Sequence, residues 1–192
     1  MAYVAPVHKP TSIRHALRIR FLSPNHEDLV LAKANRLEIW RLTDDGMTCL
    51  HTKLIYGIIS MLQRLRPKDH DMDLLFIATD RLQYFNVAWN PDTSQLDTVE
   101  QTIEDTAEHY MRHSQSQNKC LVDPSAKFMA MHLWEGLLNV FRLPSRKGAT
   151  TKLVALDQVR LTEVWMKAST FLHSRTGHPR IAFLYKTQLV SF

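Results

Sequence analysis

The chain is poor in the residues that catalytic and metal chemistry most often use. Of its 192 residues only five are glycine and two are cysteine. Glycine is too sparse to form the loop that cradles a phosphate, and no Gly-x-Ser-x-Gly elbow precedes a helical stretch. Cys49 and Cys120 lie far apart in the chain, so no Cys-x-x-Cys pair exists. No two of the ten histidines form the His-Glu-x-x-His pattern of a helical zinc site. Cys49 and His51 read as neighbours on one side of a strand, without a third ligand. Asp69-His70-Asp71 reads as a charged turn. Met1 to Pro10 lacks the apolar centre of a secretory leader, so both thiols are expected to be reduced and buried in an intracellular protein. No apolar run approaches the ~18 residues of a membrane span. No catalytic residue, metal or cofactor is expected.

What the chain does have is repetition. Asp28-Leu29-Val30-Leu31-Ala32-Lys33-Ala34-Asn35-Arg36-Leu37-Glu38-Ile39-Trp40 returns without a gap as Asp73-Leu74-Leu75-Phe76-Ile77-Ala78-Thr79-Asp80-Arg81-Leu82-Gln83-Tyr84-Phe85, a step of 45 residues. A third copy runs from Phe128 to Phe141, where Leu138 falls on Leu37 after a total step of 101. A fourth opens at Arg180-Ile181-Ala182-Phe183-Leu184. Each copy reads as an apolar strand, a polar turn and a second strand. Repetition of strands at about 45 residues signals propeller blades, each a four-stranded antiparallel sheet. The expected fold is all-β: about three and a half WD40-like blades of an incomplete ring, forming a partial N-terminal propeller over residues 1–192. The blades are expected at 13–55, 58–103, 119–161 and, incomplete, 163–192. Four blades is the usual minimum for a ring, so the chain reads as a fragment of a longer propeller protein.

Turn chemistry punctuates the strands at Ser23-Pro24-Asn25, Thr43-Asp44-Asp45-Gly46, Asn90-Pro91-Asp92 and Asp123-Pro124-Ser125. The polar stretch from Glu104 to Asn118 accounts for the longer second step. Long loops on rigid scaffolds carry function, and Arg112 and His113 at its centre are the candidate protein-binding residues. The connections between blades should share a rim with the Asn35, Asp80 and Glu135 turns. Leu37, Ile39, Leu82 and Tyr84 are expected as core between blades. Trp40 and Phe85 are expected to hold equivalent, mostly buried places.

The formal charge of +5 and pI near 9.3 permit nucleic-acid contact. The basic residues are scattered, however, in small groups such as Arg14/Arg18/Arg20 and Arg142/Arg146/Lys147. No stacking aromatics interleave them, so solvated strand ends are the simpler reading.

These residues resemble the first propeller of the large subunit of the UV-damaged-DNA-binding complex, the adaptor of cullin-4 ubiquitin ligases, in its fungal form. The resemblance rests on Met1-Ala2-Tyr3-Val4-Ala5-Pro6, Phe21-Leu22-Ser23-Pro24 and Ala32-Lys33-Ala34-Asn35-Arg36-Leu37-Glu38-Ile39. It continues through Tyr56-Gly57, Leu65-Arg66-Pro67, Leu75-Phe76-Ile77-Ala78-Thr79 and Asp123-Pro124 to Glu135-Gly136. Large scaffolds of cleavage/polyadenylation and splicing share this propeller. The resemblance implies three seven-bladed propellers, the first and third gripping receptor proteins of WD40 type and the second holding the cullin.

Cullin binding is therefore not expected from this chain, which lacks the second propeller. The resemblance implies a nuclear, non-enzymatic scaffold for substrate receptors, with nucleic acid contacted indirectly. Two alternatives stay open: a nucleic-acid-binding scaffold of RNA processing, and a truncated product without a role of its own. Ile181-Ala182-Phe183-Leu184-Tyr185, apolar and free of charge or proline, reads as an edge strand prone to self-association.

Overall fold

The computed structural model describes residue 9 and residues 11–66, 71–103, 119–143, 154–161, 165–173 and 178–186. Every regular element among them is a strand. Strands β1 (His15–Ile19), β2 (Asp28–Lys33), β3 (Arg36–Thr43) and β4 (Gly46–Leu54) make the first sheet. The second holds β5 (Ile59–Leu65), β6 (Leu74–Thr79), β7 (Gln83–Asn90) and β8 (Gln95–Ile103). The third holds β9 (Lys119–Val122), β10 (Phe128–Trp134), β11 (Leu137–Arg142) and β12 (Val154–Arg160). Strands β13 (Met166–Leu172) and β14 (Arg180–Tyr185) pair with each other. All pairings are antiparallel between sequence neighbours. The first strand of each sheet touches the first strand of the next, β1 on β5, β5 on β9 and β9 on β13. Sheets joined in this way are blades around a common axis, and the fold is an incomplete β-propeller.

The core lies between sheets. Val30, Ala32, Leu37 and Ile39 of the first sheet pack on Ile59, Leu62, Leu75, Ile77 and Val87 of the second. The opposite face of the second, with Met61, Phe76, Ala78, Leu82 and Tyr84, packs on Met129, Met131, Leu133, Leu137 and Phe141 of the third. A sheet covered on both faces has no polar side to display. Leu74–Thr79 is accordingly buried at every position and Phe128–Trp134 at all but the first, which removes the usual alternation from the sequence. Leu37, Ile39, Leu82 and Tyr84 are thus inter-blade core. Tyr84 also meets the Phe141 ring edge-on at 5.9 Å.

The gapless repeat does not survive as a structural register. In the first sheet Ala32 pairs with Leu37 across a turn that begins at Lys33 and ends at Arg36, with Ala34 at a left-handed φ of 51°. In the second, Ala78 pairs with Tyr84, so Thr79 to Gln83 form a longer turn. By the faces they present, Ala32 and Leu37 answer to Ala78 and Tyr84, steps of 46 and 47. A slip of one residue turns a strand over, so Val30 faces the following blade while Leu75 faces the preceding one.

Trp40 and Phe85 are therefore not equivalent, although the greater part of each is buried as expected. Trp40 pairs with Leu29, and Phe85 with Ile77. Phe85 packs at the edge of the core between the first two sheets. Trp40 points to the side of the first sheet that no described sheet covers. Its counterpart is Phe141, 4% exposed because the second sheet stands over it. Beside Trp40, the Glu38 carboxylate accepts the indole N–H at 3.0 Å and meets Lys33 at 2.8 Å and Arg36 at 2.7 Å. Burial alone would raise the Glu38 carboxyl, but those hydrogen bonds and charges outweigh it and hold the group below its ordinary pKa.

The aromatic at this place gains its worth from the neighbouring blade. Phe141→Ala should cost about 3–5 kcal/mol and Trp40→Ala less than about 2 kcal/mol. Urea unfolding of the two variants checks the order, and equal losses would refute the face assignment.

Candidate protein-interaction rim

One end of the blades is built from the β2–β3, β6–β7 and β10–β11 turns together with the linkers that pass from one sheet to the next. Backbone geometry binds turn to linker. The Ile55 and Ile59 N–H groups donate to the carbonyls of Asn35 and Ala34, at 2.8 and 2.9 Å. In the third blade Leu161 donates to the carbonyl of Gly136 at 2.8 Å, and Trp165 donates to the Glu135 carboxylate. Glu135 thus supplies with its side chain the acceptor that Ala34 supplies with its backbone. Asp80 closes the second blade: its Oδ1 accepts the Ile58 N–H at 2.7 Å while its own N–H donates to the Ile58 carbonyl at 2.9 Å. The structure thus puts Asn35, Asp80 and Glu135 on one rim.

The most prominent side chains here are Tyr56 and Arg81. The guanidinium lies over the Tyr56 ring, 4.4 Å from its centroid, and donates to the phenolic oxygen at 2.8 Å. Tyr56 remains 71% exposed, and Leu54 and Ile58 beside it in the chain are 69% and 37% exposed. Gly57 allows the linker to lie this close. Its φ is +112°, and a Cβ there would stand 3.0 Å from Thr79 Cβ and 3.1 Å from Asp80 Oδ1. A flat aromatic, a stacked arginine and exposed aliphatics on a rigid base are the composition of a protein-binding patch. Sequence reasoning passed over this pair because it forms across 25 residues of chain; the aromatic ahead of Gly57 was the available signal.

The opposite rim is structural. Asp28 accepts the Leu22 N–H at 3.1 Å and pairs with Arg41 at 2.8 Å. Asp73 accepts the Arg20 N–H at 2.9 Å and both Arg66 donors at 2.6 and 2.9 Å, which raises the guanidinium pKa further. Both carboxylates are 1% exposed, so each of their bonds is charge-assisted in a dry setting. Asp73 also donates its own N–H to the Arg20 carbonyl, at 2.8 Å, and so ties the first blade to the second.

The expected site residues Arg112 and His113 lie outside the described residues, as does the whole Glu104–Asn118 segment and the Asp69-His70 part of the charged turn. The thiol expectation fails for Cys49, which is exposed; Cys120 is half-buried, its thiol turned into the core and its pKa pushed up by burial. Cys49 and His51 do not share a face either. A bulge pairs His51 with Ile39 but Cys49 with Trp40, and so sends them to opposite sides. Among the described residues no three His, Cys, Asp or Glu side chains gather as a metal site, and no helix is long and apolar enough to cross a membrane.

Residues 12–190 match the family described as RSE1/DDB1/CPSF1 first beta-propeller. The chain belongs to that family. DNA damage-binding protein 1a of Arabidopsis thaliana is 33% identical over 184 residues, covering 96% of this chain and 16% of the relative. DNA damage-binding protein 1 of Oryza sativa is 32% identical over the same length. The protein of that name in Schizosaccharomyces pombe is 28% identical over 192 residues, covering 97% of this chain and 18% of the relative. The chain thus spans about a sixth of the length of these relatives.

Gly57 and Gly46, two of the three described glycines with positive φ, offer a test of how tightly the rim is built. Gly57→Ala should cost about 2–3 kcal/mol, from backbone strain added to the Thr79 clash. Gly46→Ala, with φ +116° but nothing within 4 Å of the new Cβ, should cost about 1 kcal/mol less. Thermal melting compares them; indistinguishable values would mean that linker and turn are not in close contact.

Proposed function

We propose that this chain is the receptor-holding part of a DNA damage-binding adaptor: a nuclear, non-enzymatic scaffold whose rim binds substrate-receptor proteins of WD40 type for a cullin-4 ubiquitin ligase. The observation that carries the reading is the Tyr56–Arg81 platform with Leu54 and Ile58, rigidly seated and open on a blade rim. Membership of the damage-binding family and the names of its relatives supply the biological setting. Arg112 and His113, on the sequence-based expectation, extend the same surface. The cullin is held elsewhere in the assembly, and nucleic acid is reached through the receptor. No cofactor enters this role, since its product is proximity between two proteins.

Binding of a purified WD40-type receptor to the chain, followed by biolayer interferometry, tests both halves of the surface. Tyr56→Ala with Arg81→Glu should weaken binding at least tenfold, the loss typical of an aromatic–arginine anchor. Arg112→Glu with His113→Glu should weaken it as well. Receptor binding equal to wild type in both variants would refute the assignment. Binding of naked RNA or DNA that falls steeply with salt, in place of receptor binding, would move the protein to the RNA-processing branch of the superfamily.

A further inference from the structure

One of the ten histidines is sealed between blades. His132 on β10 is 1% exposed, and neither Nδ1 nor Nε2 has a hydrogen-bond partner among the described residues. A neutral imidazole holds one donor and one acceptor, and leaving both unpaired is costly, so packing is what keeps the ring inside. Alternation fixes its direction. Met129 and Met131 belong to the core shared with the second sheet, so Ala130 and His132 face the other way, toward β13 and β14.

Two charged groups flank the ring, and each bonds across the same seam. Lys119, opposite His132 in the β9–β10 ladder, donates its ammonium to the Lys167 carbonyl on β13. Glu135, in the turn after β10, accepts the Trp165 N–H ahead of β13. Burial is the main influence on the imidazole and holds its pKa below the ordinary value; Glu135 opposes this and Lys119 adds to it. Among the described residues the other charged groups along the seam are exposed Arg142 on β11, Asp157 on β12, Lys167 on β13 and Lys186 after β14, whose ammonium stands 5.7 Å over the Trp165 ring, and, at the opposite rim, buried Asp123, which lines a cleft with the exposed His173 and His178. Tyr185 on β14 is half-buried opposite Met166.

We propose that His132 makes the joint between the third blade and β13–β14 acid-labile: a proton on this ring releases β13–β14 as a unit while the first three blades stay assembled. The proton would place a second cation beside the Lys119 ammonium and offer Glu135 a cation in place of the Trp165 N–H. These two seam-crossing bonds weaken together, and the imidazolium reaches water where the seam parts. The direction in pH follows from the folded state favouring the neutral ring. The joint has its full strength above about 6.5, the ordinary imidazole value, and loses it as pH falls from there through the lower folded value. Acidification would thereby uncover the Ala130 and His132 face of the third blade and, with it, a new apolar surface.

Hydrogen exchange of the full 192-residue chain at pH 7.5, 6.5 and 5.5, corrected for the intrinsic pH dependence of amide exchange, reads the joint directly. Protection in β13 and β14 should fall at least tenfold between the first and last conditions, with β2–β3 and β6–β7 unchanged. His132→Leu should abolish that fall. Uniform loss over all sheets, no loss in β13–β14, or an undiminished loss in the variant would each overturn the proposal. If His132→Leu does not fold, an NMR titration of the wild-type imidazoles serves instead. The His132 resonance must then shift in the same pH interval in which β13–β14 open, and a ring that titrates independently of opening overturns the proposal.

Discussion

Every sheet in this protein depends on having another sheet against it. The strands carry apolar side chains on both faces, so a blade in isolation would leave one core-forming surface in water. Ala78 and Ile77 are adjacent in sequence, yet one belongs to the core with the third sheet and the other to the core with the first. Stability is therefore held mostly in the seams, and each seam is shared by two blades. A substitution in β6 acts on two interfaces at once, while one in β2 acts chiefly on a single described interface. The unequal burial of Trp40 and Phe141, which occupy corresponding places, follows from this alone.

Polar groups serve the seams rather than interrupt them. Asp73 reaches from the second blade to the backbone of Arg20 in the first and is neutralised by Arg66 of its own sheet. Asp28 does the corresponding work within the first blade through Leu22 and Arg41. Removing either arginine would strand a carboxylate where no water reaches it, a larger penalty than the pair's own net contribution. At the other rim the bonds are nearly all to backbone, and that leaves side chains such as Tyr56 and Arg81 free to face outward.

The sequence made the fold class legible because strand runs, turn residues and repetition all pointed the same way. It failed where the answer depended on a single residue of offset. The gapless match of Leu37 with Leu82 is real as a pattern, but the longer Thr79–Gln83 turn moves the pairing and turns β6 over relative to β2. The bulge in β4 had the same effect on Cys49 and His51, and no residue type near Leu50 announces it. The Tyr56–Arg81 platform was not legible because it is a contact between a linker and a turn of the following blade. Arg112 and His113 were chosen from loop length and charge alone, and they lie outside the described residues.

The order of strands in space is also the order of synthesis. Among the described residues every ladder joins consecutive strands and the seams join consecutive sheets, so these contacts form between neighbouring parts of the chain. As the polypeptide leaves the ribosome, the second sheet can dock on the first before the third exists, and each completed blade is the template for its successor. Loop-closure entropy then enters in small instalments, and the contact order stays low for an all-β architecture, which should speed its folding. Assembly of this kind runs in one direction, from the first seam outward, with each seam formed on a face that the preceding blade has already presented.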